Sequence, residues 1–215
     1  MNKPARDSRG IQLFARLPVP GRVKTRLARS IGAAAACAVH EELLALTART
    51  LLEAALAPVE LWLDESGTHG LLEALLRAGM RGPFEQTGHD LGERMRRSLV
   101  AGLQRYERVV LVGSDCPGLD KAYLRSAFDA LDEADVVIGP AEDGGYVLIG
   151  ARGDFAPLFA DIPWGTGEVL QRSRAAAAAA DLSLALLEPR FDIDVEADLL
   201  RWRSPRGEAS GAKSA

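Results

Sequence analysis

Apolar positions along this chain change spacing repeatedly, and the changes mark out alternating strands and helices. Residues 10–15, Gly-Ile-Gln-Leu-Phe-Ala, form a short apolar run that ends in Pro- and Gly-rich sequence, which predicts a buried first strand feeding a loop. Across residues 32–56, Ala36, Val39, Leu43, Leu44, Leu51 and Ala55 recur near helical spacing on an Ala/Leu-rich background, so a long helix is expected there. A strand at 59–63, a helix at 71–78 and a short strand at 84–87 follow. Asp90 is placed to cap the next helix, and residues 108–113 are a continuous apolar run, as expected of a strand covered on both faces. After a helix around 122–131, strands at 135–139 and 146–150 are separated only by residues 140–145. A parallel crossover takes about a dozen residues or more, so this pair is expected to be antiparallel and the sheet mixed. A helix at 167–180, a strand at 182–187 and a last helix at 195–203 complete the pattern, and residues 204–215 read as a flexible tail. The alternation specifies an α/β layer architecture with ligands expected at the carboxyl ends of the strands.

Length adds that one core is enough. The chain has 215 residues, within the roughly 250 that a single domain sustains, and residues 10–203 are read as that domain. Hydrophobic residues make up 47% and charged residues 26%, an ordinary globular composition. A formal net charge of -4 argues against a nucleic acid or an anionic membrane as partner. Cys37 and Cys116 have neither disulfide-framework nor zinc-site spacing and read as reduced thiols. The polar start and the lack of any apolar run approaching roughly 18 residues predict no membrane span and a cytoplasmic location.

Candidate chemistry gathers where the strands end. The loop after the first strand holds Arg16, Arg22, Lys24, Arg26 and Arg29 without an acid between them. Pro18, Pro20 and Gly21 would shape a turn whose amides face phosphate, with Lys24 a point charge, Thr25 beside it and Arg26 a planar fork; the alternative is a solvated basic loop. It matches neither Gly-x-x-x-x-Gly-Lys-Ser/Thr nor Gly-x-Gly-x-x-Gly. Asp115 directly follows the 108–113 strand and is either a ligand for a hard divalent cation or a turn cap. Asp192 and Asp194 occupy alternate positions and could complete a metal site with Asp115, while Asp194 is also expected to cap the last helix. Asp143, Gly144, Gly145 and Tyr146 make up either a close-approach ligand loop or a plain hairpin turn. Trp164 and Thr166 could position a substrate, or the tryptophan could simply pack. Arg94 could bring a helix start and a charge to the nucleotide phosphates; the alternative is an ordinary exposed helix start. His40, His69 and His89 show no ligand spacing and read as structural or exposed, and Cys116 lacks an activating base.

Phe14-Ala15-Arg16-Leu17-Pro18 through Leu27, Asp90-Leu91-Gly92-Glu93-Arg94-Met95, Gly113-Ser114-Asp115-Cys116-Pro117, residues 139–146, Pro163-Trp164-Gly165-Thr166 and Phe191-Asp192-Ile193-Asp194 occur in that order. Together they resemble the bacterial arsenosugar-biosynthesis-type glycosyltransferases, with the GT-A nucleotide-diphospho-sugar transferase fold. The fold also resembles 2-phospholactate and molybdenum-cofactor guanylyltransferases. The resemblance implies a three-layer αβα sandwich with a mostly parallel sheet that binds a nucleotide sugar or nucleoside triphosphate, a small-molecule acceptor and magnesium or manganese. It implies glycosyl transfer with Asp115, Asp192 and Asp194 on the metal, Lys24 and Arg26 on the departing phosphates and Asp143 as base or acceptor-positioning group. Nucleotidyl transfer with release of pyrophosphate is the rival reaction, and a non-catalytic nucleotide-binding module the rival class. Arg16 stands where the family carries lysine.

Overall fold

A computed structural model of the chain describes residues 7–204, so residues 205–215 of the expected tail lie outside the described residues. Seven strands form one sheet: β1 (Asp7–Ala15), β2 (Val59–Leu63), β3 (Arg81–Glu85), β4 (Tyr106–Gly113), β5 (Val136–Pro140), β6 (Tyr146–Ala151) and β7 (Leu184–Leu186), in the order β3-β2-β1-β4-β6-β5-β7. Strand β6 runs antiparallel to both β4 and β5 while the other pairings are parallel, so the mixed sheet expected from the short 140–145 link is present. The antiparallel strand has a consequence for the site. Its first residue, Tyr146, lies at the same sheet edge as the last residues of β1 and β4.

Helices cover both faces. Helices α2 (Ala33–Ala54), α3 (Gly70–Arg77) and α5 (Lys121–Glu133) bury Leu44, Leu51, Leu72, Phe128 and Leu131 against Leu13, Leu61, Val110 and Leu148. On the opposite face, α4 (Leu91–Leu103), a 3-10 turn (Ala156–Phe159) and α6 (Val169–Ala179) bury Met95, Leu99, Leu158 and Ala177 against Phe14, Trp62, Leu111 and Ile149. In β4, Val110 and Val112 point to the first face and Val109 and Leu111 to the second, which explains its unbroken apolar run. A smaller cluster joins α1 (Thr25–Ile31), α2 and α7 (Glu196–Arg203) through Leu27, Val39, Leu43, Ile193 and Leu199.

Two local expectations change. The basic loop is shorter than read, because Thr25–Ile31 is helical and Gly32, at φ +85°, breaks it from α2. Asp194 does not cap α7: the carboxylate of Asp198 reaches back to accept from the amides of Asp194 and Val195 at 3.0 and 2.9 Å, leaving the Asp194 side chain free for another partner.

Candidate active site

The carboxyl ends of β1 and β4 and the start of β6 line a cleft of about 520 Å³. Its two walls come from opposite faces of the sheet. One wall is the loop after β1, α1 and His40 of α2; the other is the first turn of α4 with residues 164–166 and Val169. The floor is closed by the segment before α7, since the amide of Ile193 donates to the carbonyl of Asp115 at 3.0 Å and so sets Asp192 and Asp194 beside the end of β4.

The loop cations are paired with acids from elsewhere in the chain. Arg16 meets Asp64 at 3.0 Å, Arg22 meets Glu65 at 2.9 Å, Lys24 meets Asp115 at 2.8 Å and Arg26 meets Asp194 at 2.7 Å. Asp64 also accepts from the amide of Leu17 at 2.9 Å, clamping the loop at its root. The acids missing from the loop's own sequence thus arrive through the fold, and these four cations are already ion-paired. Lys24 is the most constrained member. It takes the left-handed conformation at φ 49°, its side chain is 3% exposed, and its ammonium also donates to the carbonyl of Ile193. Pro18 and Gly21 do not line the cleft; Gly21 supplies the positive φ of the turn at 83°, where Arg22 N–H donates to Val19 at 3.0 Å. Thr25 and Arg26 do line it.

The carboxylates fall into two groups. Burial raises the Asp115 carboxyl's affinity for its proton, but the charge and hydrogen bond of Lys24, with His40 and the Ser114 hydroxyl, outweigh it and hold the group below the ordinary aspartate range. Asp192 goes the other way: burial, then the neighbouring charges of Asp143 and Asp115, push it up to about 6. Asp143 lines the same cleft and accepts from the amide of Gly145 at 2.9 Å. Asp115, Asp143 and Asp192 thus share one electrostatic neighbourhood, whereas Asp194 is held by Arg26. Among the described residues no group of three or more acids, histidines or cysteines is arranged to hold a metal ion, so the expected three-aspartate set is not assembled as a cage.

On the α4 wall, Trp164 packs edge-on against Tyr146 at 6.0 Å and stacks on Phe159 at 6.4 Å. Gly92 makes room for it, since a Cβ there would stand 2.3 Å from the indole nitrogen. The motif around Arg94 is a reciprocal cap: Asp90 accepts from the amide of Glu93 at 2.7 Å, and Glu93 accepts from that of His89 at 2.8 Å. Arg94 itself reaches the cleft. Gly145, Tyr146 and Thr166 line the cleft, and the Thr166 hydroxyl donates to Pro163 at 2.8 Å. Gly144 does not: at φ +91°, with a would-be Cβ 2.2 Å from the Gly167 carbonyl, it serves the close approach of two loops.

Two cleft residues were not placed in the site from the sequence: His40, which read as structural or exposed, and Gln86. His40 is 2% exposed, bonds Arg16's carbonyl through Nε2 at 3.0 Å and turns Nδ1 towards Asp115 at 4.0 Å. The signal was its place between Ala36 and Leu44 on the buried face of α2. Gln86, just past β3, donates to the carbonyls of Ala15 and Trp62 at 3.1 and 2.9 Å and ties two strand ends together. Both cysteines are free and buried, and burial pushes the Cys116 thiol up to about 11, which fits an inert thiol. No helix among the described residues is long and apolar enough to cross a membrane.

Residues 47–166, more than half of the chain, match the family described as "Uncharacterized protein conserved in bacteria (DUF2064)". A crystal structure from Desulfovibrio desulfuricans G20, provisionally named a nucleotide-diphospho-sugar transferase, is 30% identical, with a TM-score of 0.81 over 97% of this chain and 92% of that one. A nucleotidyl transferase from Methanothermobacter is similar at 20% identity, TM-score 0.61, covering 91% of this chain and 96% of that one. Rv0371c of Mycobacterium tuberculosis H37Rv, solved in complex with manganese, is similar at 20% identity, TM-score 0.50, with 91% and 97% covered. No curated protein matches the sequence.

Proposed function

Because this chain belongs to the DUF2064 family and shares the fold of nucleotide-sugar and nucleotidyl transferases, we propose that it is a divalent-metal-dependent glycosyltransferase taking a nucleotide sugar and a small-molecule acceptor. The observation that carries this reading is the charge balance of the cleft. Four cations, Arg16, Lys24, Arg26 and Arg94, stand among five carboxylates, Asp64, Asp115, Asp143, Asp192 and Asp194, and three of the cations are already paired. A diphosphate entering beside more carboxylates than cations is stabilised by a further cation that comes with it. Magnesium or manganese suits the residues present, since such ions take one or two carboxylates and leave their other positions to water and phosphate oxygens. The manganese complex of the Rv0371c fold relative is in keeping with this choice.

Asp115 and Asp192 would hold the ion, with Asp194 in reserve behind Arg26. Bound there, the metal supplies Lewis-acid stabilisation of the departing diphosphate. Lys24, already seated against Asp115, adds a fixed positive charge on the protein side, where it costs no reorganisation during the reaction. Thr25 and Arg26 line the donor wall. Asp143, held by the turn at Gly145, would take the acceptor's proton while the acceptor oxygen bonds the sugar's anomeric carbon and the nucleoside diphosphate leaves. Tyr146, Trp164 and Thr166 wall off the acceptor. The resemblance to arsenosugar-type glycosyltransferases supports glycosyl transfer, and the provisional name of the 30% identical relative supports a nucleotide-sugar substrate. Two free, buried thiols suit the cytoplasm.

The test is to incubate the protein with manganese, a panel of nucleotide sugars and nucleoside triphosphates, and mixed small-molecule acceptors. Release of a nucleoside diphosphate from a nucleotide sugar is the expected result. Pyrophosphate released from a triphosphate in step with an acceptor phosphate would replace this reading with nucleotidyl transfer.

A further inference from the structure

Arg94 is the exception among the cleft's cations. Arg16, Lys24 and Arg26 each sit on a carboxylate. Arg94 has no ion pair or side-chain hydrogen bond among the described residues, and its Nε is buried without an acceptor. The acids nearest in sequence are committed elsewhere: Asp90 caps α4, and Glu93 is taken by the amide of His89 and by Arg97. A buried guanidinium N–H without an acceptor loses the hydrogen bonding it had in water, so its place in a ligand-sized cleft is best explained by a ligand oxygen.

Position separates this charge from the loop. Arg94 projects from α4, on the sheet face opposite α2, whereas Lys24 and Arg26 enter from the α1 and α2 side. Leu91 and Met95 of the same helix turn line the cleft with it, and so do the aromatic rings of Tyr146 and Trp164. The indole N–H of Trp164, buried beside Gly92, likewise has no acceptor. The Tyr146 hydroxyl, buried beside that of Ser173, is likewise without a hydrogen-bond partner among the described residues. We propose that Arg94 holds an anionic group, a carboxylate or phosphate, on the acceptor, whose less polar body packs against Trp164, Tyr146 and Met95. This rests on the two-substrate reading of the cleft and assigns the acceptor's chemical class: a small organic anion rather than a neutral sugar or an amine. Arginine suits the task because its planar fork meets two oxygens of such a group at once.

Inorganic phosphate is the probe. In metal-free protein the loop cations are occupied, so phosphate titrated against tryptophan fluorescence should report the Arg94 site. Arg94→Gln should weaken binding about tenfold or more, the equivalent of a lost charged hydrogen bond. Arg94→Lys should recover part of it, and Arg97→Gln, an exposed cation one turn away on the same helix, should change it less than about twofold. Circular dichroism confirms that each variant folds. The second arm repeats the titration with manganese and whichever of UDP, GDP, CDP and ADP binds: phosphate should still bind, without competition. Arg94→Gln binding phosphate as tightly as the wild type would overturn the proposal, as would competitive displacement by the nucleoside diphosphate, which would assign Arg94 to the donor. If no nucleoside diphosphate binds with manganese, the donor reading fails while the metal-free titration still decides the role of Arg94.

Discussion

Removing the charge of Asp115 should destabilise the protein far more than removing that of its partner Lys24. The pair is asymmetric: at 2.8 Å separation, the lysine side chain is 3% exposed and the aspartate 46%. In Asp115→Asn the ammonium stays buried with only a neutral side chain and the Ile193 carbonyl to satisfy it. Breaking a fully buried pair this way costs about 3–5 kcal/mol, and an exposed pair contributes up to about 1. With nearly half of Asp115 facing the cleft, the loss falls between, at about 2–3 kcal/mol, or about 4–12 °C in Tm for a domain of this size. In Lys24→Met the surviving carboxylate turns to water, and the backbone strain at φ 49° is the same for methionine as for lysine, so the loss should stay under about 1 kcal/mol. The double variant should regain most of what Asp115→Asn loses. Urea denaturation of the four proteins measures all three quantities. The difference between wild type and Asp115→Asn should also shrink on acidification. The carboxyl titrates below its unfolded value, so its contribution is complete above about pH 4 and disappears as pH falls through the folded value. Equal losses for the two single variants, or no recovery in the double one, would refute the reading of Lys24 as a buried charge tied to Asp115.

Manganese affinity should rise with pH, because Asp192, pushed up to about 6, must lose its proton to bind the ion. The dissociation constant should fall between pH 5 and 7 and level off above; a flat profile by calorimetry would remove Asp192 from the ligand set. For the same reason Asp192 lowers stability as pH rises from about 4 to 6, since the folded state holds the proton over that range; Asp192→Asn should flatten that part of the stability profile. Nucleoside diphosphate affinity should fall at least about tenfold when EDTA removes divalent cations, measured by equilibrium dialysis. Gly92→Ala should push the Trp164 indole out of its seat, 2.3 Å from the new Cβ, costing about 1–3 kcal/mol and raising the acceptor KM more than the donor KM. Glu60→Gln, at a fully buried carboxylate joined to Arg105, Trp62 and Tyr106, should cost about 1–3 kcal/mol by denaturation, because the surviving Arg105 is 39% exposed and can turn to water, while both KM values stay unchanged.

What was legible in the sequence followed from periodicity. Helix α2, strand β4 and the β5–β6 pair were readable because burial imposes a period of 3.6 or 2, or a continuous run where both faces are covered. Helix α1 was missed for a physical reason: it is only 7 residues long, carries one fully buried side chain, Leu27, and follows a loop whose proline and glycine masked its start. The strand order was not legible, because nothing local in β1 says that it lies between β2 and β4, whose registers with it are set by packing of distant segments.

The same division applies to the candidate site. Residue types at strand ends were readable, and Asp115, Asp143, Asp192 and Lys24 do meet in one cleft. Pairing was not, since the partners of the loop cations lie 48 residues away for Arg16 and 168 for Arg26. Read locally, five cations without an acid look like a standing trap for phosphate; folded, four of them are neutralised and the one cleft cation without a partner, among the described residues, is Arg94 on the other wall. That inversion bears on mechanism. On the proposed two-substrate reading, a donor side that is already charge-balanced has little pull on a nucleotide by itself, so the divalent ion would recruit the donor and the free arginine would select the acceptor. Donor binding should therefore depend steeply on metal, and acceptor binding on Arg94, two dependences that a simple basic phosphate loop would have merged into one.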